Sequence, residues 1–127
     1  ATGGVVVAGG TGNSATGGDV WLWSGVGTAT SSGAVVISSV NSGASGISGK
    51  LAFSTGTSNK GNSGAILIGS GLATSGRGGA VTISVGNGLS GTGGSVDVVA
   101  GISTVKTGGD VSIFSGAGSA TSSGIVY

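Results

Sequence analysis

The chain has 127 residues, of which 32 are Gly and a further 36 are Ser or Thr, and it contains no Pro, Cys, Met or His. Four basic and three acidic side chains leave a net charge of +1, which supplies no field to steer nucleic acid or an anionic membrane. A chain of this length holds one compact domain. The composition rules out collagen, which needs proline and a strict three-residue glycine period. It also argues against intrinsic disorder, because the chain is rich in Val and Ile and nearly uncharged.

An internal repeat organises everything else. A glycine precedes each short apolar run, at Gly4, Gly18, Gly33, Gly49, Gly64, Gly79, Gly94, Gly109 and Gly124, with spacings of 14, 15 and 16 and then 15 five times. We number positions within each repeat from this glycine as zero. In chain order, position two holds Val6, Val20, Val35, Leu51, Ile66, Val81, Val96, Val111 and Val126. Position four holds Ala8, Leu22, Ile37, Phe53, Ile68, Ile83, Val98 and Ile113. Apolar residues at every second place over about six residues predict a strand with one buried face. The extra residue in Gly46-Ile47-Ser48 reads as a bulge or widened turn.

Glycine returns at position seven in Gly25, Gly56, Gly71, Gly101 and Gly116, where it suits the positive φ of a tight turn. Position nine carries only small residues: Gly27, Ser42, Ser58, Ala73, Gly88, Ser103 and Gly118. That column predicts a second inward row where two sheets approach closely. Together these features predict an all-β fold, a flattened parallel β-solenoid of about 15 residues per coil and eight to nine coils stacked about 4.8 Å apart. Its core ladder would be Val20, Leu22, Val35, Ile37, Leu51, Phe53, Ile66, Ile68, Val81, Ile83, Val96, Val98, Val111 and Ile113.

A second level of repetition lies above the first. Residues 16–36 and 107–127 are identical at 14 of 21 positions, 91 residues apart. Residues 1–127 therefore read as a single array, one super-repeat and part of the next, and the expectation is a piece of a longer repeat protein. Neither end shows a capping helix, a proline or a charge cluster, which favours end-to-end continuation by stacking.

The sequence points away from catalysis, so no catalytic residue, cofactor or metal ligand is assigned. Without His or Cys there is no triad and no soft metal site. Asp19 and Asp110 share one position six coils apart, and Asp97 stands alone, so paired-carboxylate chemistry lacks its pair. Calcium β-roll repeats need Asp at another position and a nine-residue period. Gly76-Arg77-Gly78-Gly79 is a glycine-rich loop with nothing to mark it as a phosphate cradle. No apolar run reaches the ~18–20 residues of a membrane span, so membrane insertion is not expected.

The outward positions carry the more informative residues. Val7, Trp21, Val36 and Leu67 fall at position three, and Trp23 at position five. This apolar stripe predicts a lateral interface. Its indoles would also suit the apolar faces of sugar rings. Outward Ser and Thr could carry O-linked sugars, and no Asn-x-Ser/Thr acceptor is present.

Thr28-Ala29-Thr30 and Ser119-Ala120-Thr121 resemble the Thr-x-Thr ranks of ice-binding β-solenoids of the ryegrass and beetle antifreeze type. The coils between depart from that pattern, with Gly43/Ser45, Asn59/Gly61, Thr74/Gly76, Leu89/Gly91 and Thr104/Lys106. The recurrent ATSSG, STG, GNSG and GTGG segments also resemble tandem Ser/Gly repeat proteins of algae and other aquatic microbes. That resemblance covers nearly every coil and implies a non-enzymatic fibre or surface protein outside the cell. The ice-binding resemblance implies instead a module for ice or polysaccharide.

Overall fold

A computed structural model describes residues 3–14 and 16–127. The fifteen-residue period appears in it as bending. The backbone bends at 28–30, 59–61, 74–76, 89–91, 104–106 and 119–121, always positions ten to twelve of the repeat. The long repeat turns at Ala44 and Ser45, and the short first repeat bends at Asn13 and Ser14.

Each bend closes a loop. Past it, the next position-zero glycine comes back against the residue nine or ten places upstream. A Cβ built on Gly33 would lie 3.4 Å from the Ser24 Cβ, on Gly79 3.2 Å from that of Ser70, and on Gly124 3.5 Å from that of Ser115. The same approach joins Gly49 to Ser39, Gly64 to Thr55, Gly94 to Val85 and Gly109 to Ala100. At four loop mouths it is fixed by a backbone hydrogen bond. The N–H of Gly18 donates to the carbonyl of Gly10 at 2.8 Å, and those of Gly33, Gly109 and Gly124 donate to the carbonyls of Gly25, Gly101 and Gly116 at 2.9 Å each.

The chain divides into two compact units, Ala1–Ile66 and Leu67–Tyr127. In the first unit loops close at 10–18, 25–33, 39–49 and 55–64. In the second they close at 70–79, 85–94, 101–109 and 116–124.

These loops overturn the parallel β-solenoid. Among the described residues there is no strand and no helix, so neither an all-β solenoid nor a β-helix is present. The physical reason lies in how each repeat uses its length. A solenoid carries the chain once around in fifteen residues, so that residue i lies over residue i + 15. Here the backbone returns on itself after nine, and the rest of the repeat leads onward to the next loop. The six-residue apolar segments are left between loops with no ladder of hydrogen bonds.

The predicted core ladder is accordingly not a core. No residue among those described is buried. Val20, Val35, Leu51, Ile66, Val81, Val96 and Val111 at position two are 50 to 57% exposed, and Leu22, Ile37, Phe53, Ile68, Val98, Ile83 and Ile113 at position four are 52 to 78% exposed. The alternation survives in a weaker form, since Trp21, Val36 and Leu67 at the intervening position three are 68 to 88% exposed. Two-sided burial would need the facing coil that the looped backbone does not provide.

Two further expectations are corrected. No described glycine has a positive φ, so Gly25, Gly56, Gly71, Gly101 and Gly116 are not left-handed turn residues. Their carbonyls instead receive the closing hydrogen bond in three of the five loops. The small column at position nine faces no second sheet. It is where the bend folds onto itself: a Cβ on Gly88 would meet the carbonyl oxygens of Gly91 and Thr92 at 2.8 Å, and on Gly118 that of Ser122 at 2.6 Å. The Gly27 position meets the carbonyl of Ser31 in the same way. Where position nine is serine, its hydroxyl can brace the bend. Ser103 Oγ accepts from the N–H of Lys106 at 2.8 Å and from that of Val105 at 3.4 Å, an ST-turn. In the 116–124 loop Ser123 Oγ accepts from the Gly118 N–H at 3.3 Å.

This geometry makes a local prediction. Gly88→Val forces a branched side chain against two carbonyls and opens the 89–91 bend. Amide chemical shifts should move across 85–94 and stay fixed in the 25–33 and 116–124 loops. Unmoved shifts in 85–94 would contradict the close approach at position nine.

Candidate functional site

Trp21 and Trp23 form the most defined side-chain arrangement. They sit two residues apart on the extended segment that follows Gly18, so both project to one side of the backbone. Their rings stack with centroids 5.3 Å apart and planes 8° from parallel. Such offset stacking contributes roughly 0.5–1.5 kcal/mol beyond the area covered. The pair remains open to solvent, with Trp21 68% and Trp23 73% exposed. The indoles thus hold each other in place and keep one face each free.

Of the five residues expected to make a lateral stripe, the structure brings these two together. Val7 and Val36 are exposed apolar residues of the same unit, and Leu67 opens the second unit. The Thr28-Ala29-Thr30 and Ser119-Ala120-Thr121 motifs both fall on bends at loop tips.

The charged groups are dispersed. No group of three or more Asp or Glu that could hold a metal ion occurs among the described residues. Asp97 accepts a hydrogen bond from the Ser95 hydroxyl at 2.7 Å, a local pairing on an exposed segment. Among the described residues there is no cavity and no helix long and apolar enough to cross a membrane.

Sequence reasoning missed position six. Val85 occupies it in a column otherwise made of Ser, Thr or Ala from Gly18 onward, and it is the least exposed large apolar side chain at 46%. A Cβ on Gly94 would lie 2.6 Å from its Cγ1, so Val85 fills the mouth of the 85–94 loop. The signal was present as the one large aliphatic residue in a column of small or hydroxyl-bearing ones.

No family model, curated protein or solved structure matches this chain.

The indole pair has a direct spectroscopic signature. Each ring of a stacked pair lies in the shielding region of the other, so the indole proton resonances of Trp21 and Trp23 should be shifted upfield in NMR. Trp23→Ala should return the Trp21 resonances to ordinary positions and leave those of the bends unchanged. Ordinary indole shifts in the native chain would contradict the stack.

Proposed function

We propose that this chain is a non-enzymatic structural repeat protein that acts by associating with further copies of itself, forming a fibre or surface layer outside the cell. The observation that carries this reading is the exposure of the periodic apolar columns. Val, Leu, Ile and Phe recur at fixed positions through the whole chain, yet among the described residues the chain by itself buries none of them. Apolar surface of this extent favours an interface. A period shared by every copy makes another copy the natural cover.

The extracellular placement rests on the resemblance to Ser/Gly repeat arrays and on the abundant exposed hydroxyls, which can carry O-linked sugars. Lateral contact would use the Trp21/Trp23 pair, and contact along the length would use the position-two and position-four columns. Fully covering one such Val or Ile contributes about 1.5–3 kcal/mol, of which roughly half is still unrealised at position two.

The indole stack also favours a second reading, a surface for polysaccharide. Its free faces suit sugar rings, and titration with soluble polysaccharide would then shift tryptophan emission in the native chain and not in a Trp21→Ser, Trp23→Ser variant.

Self-association should appear in sedimentation velocity as concentration-dependent growth beyond the 11.4 kDa chain. Lysine at Val35 and Val81 should raise the concentration needed at least tenfold. Trp21→Ser with Trp23→Ser should weaken lateral bundling in electron micrographs. A monomer at all concentrations would overturn the structural reading, and unchanged bundling would remove the indoles from it.

A further inference from the structure

We infer that the copies join by edge-to-edge pairing of their six-residue apolar segments, parallel and offset by one repeat. This rests on the self-association proposed above and adds how the chains meet.

The surface area sets the scale. The chain exposes 12489 Å² at 11.4 kDa. A compact monomer of that mass exposes about 5,800 Å² and its unfolded chain about 16,500 Å². The excess over a compact monomer is several times the roughly 1,600 Å² that a stable interface covers. A second copy therefore has ample surface to bind.

The backbone says what kind of contact this is. The backbone–backbone hydrogen bonds of the described residues lie at loop mouths, and none lies within 19–24, 80–85, 95–100 or 110–115. Those segments keep rows of open N–H and C=O groups. An extended run with open edges, alternating β-branched residues, no Pro and little charge is a template for pairing with another chain. Only a partner with the same fifteen-residue period meets segment with segment and loop with loop along its length.

Charge chooses the register. Pairing without offset lays Asp19, Asp97, Asp110, Lys50, Lys60, Arg77 and Lys106 each against its own copy, and like charges directly opposite are destabilising. A shift of one repeat removes every such clash. Asp97 then faces Thr82 or Ser112, Asp110 faces Ser95, Lys60 faces Ser75 and Lys106 faces Thr121. Positions two and four remain apolar against apolar in either register, so the shift preserves the hydrophobic contact.

The absence of native cysteine makes the register measurable. Copies carrying Ser84→Cys are mixed with copies carrying Val99→Cys, assembled as full chains, and oxidised. Offset neighbours place these positions across one strand spacing of about 4.8 Å, within disulfide reach. The expected result is a fibre reflection near 4.8 Å with a several-fold excess of the 84–99 disulfide over the 84–84 and 99–99 products. Assembly in sedimentation without that reflection would overturn the pairing and leave self-association standing. The reflection with only 84–84 and 99–99 disulfides would overturn the offset. No assembly at any concentration would overturn both the pairing and the reading beneath it.

Discussion

Closure of each loop mouth by a position-zero glycine is the constraint on which the rest of the molecule depends. The returning backbone packs against the residue at position six, as Gly33 does on Ser24 and Gly79 on Ser70. A Cβ on that glycine would crowd its neighbour at Gly18, Gly79 and Gly94, and would make ordinary van der Waals contact at Gly33, Gly49, Gly64, Gly109 and Gly124. The consequence is that most of each repeat is consumed locally. A run such as Asp19–Ser24 emerges extended, with its alternation intact and nothing laid against it.

Residues at position two stay about half covered, whereas Leu67 and Leu72 stand nearly free. Apolar area left in water is unfavourable in proportion to its extent, and open backbone groups in an extended run invite a partner strand. Both deficits recur with the same fifteen-residue spacing. A copy of the chain answers both together, which is why assembly is the functional reading that fits the geometry.

Much of this was legible in the residues and some was not. The period was legible in the spacing, and the alternation at Val35, Val36 and Ile37 survives only as a difference in exposure, while the bends fall at positions ten to twelve, where small polar residues cluster, and not at the position-seven glycines. The use of the period was misread. A column such as Gly27, Gly88 and Gly118 signals close approach, but spacing alone does not distinguish an approach to a neighbouring sheet from an approach to the loop's own carbonyls. Period-two alternation likewise marks a face that can be covered without saying whether the cover comes from the same chain. The Trp21–Trp23 stack was half visible: their two-residue spacing placed them on one side, while mutual stacking depended on side-chain torsions that spacing does not specify.

Amide hydrogen exchange followed against protein concentration tests the central claim most directly. A dilute monomer should exchange freely at Val20–Leu22, Val35–Ile37 and Val81–Ile83, with slowing at the N–H groups of Gly18, Gly33, Gly109 and Gly124 at the loop mouths and of Val105, Lys106 and Gly118 beside the bends. On assembly, protection should spread through the apolar segments at fifteen-residue intervals. Strong protection of those segments in the monomer would contradict the account, because it would mean that one chain pairs its own backbone.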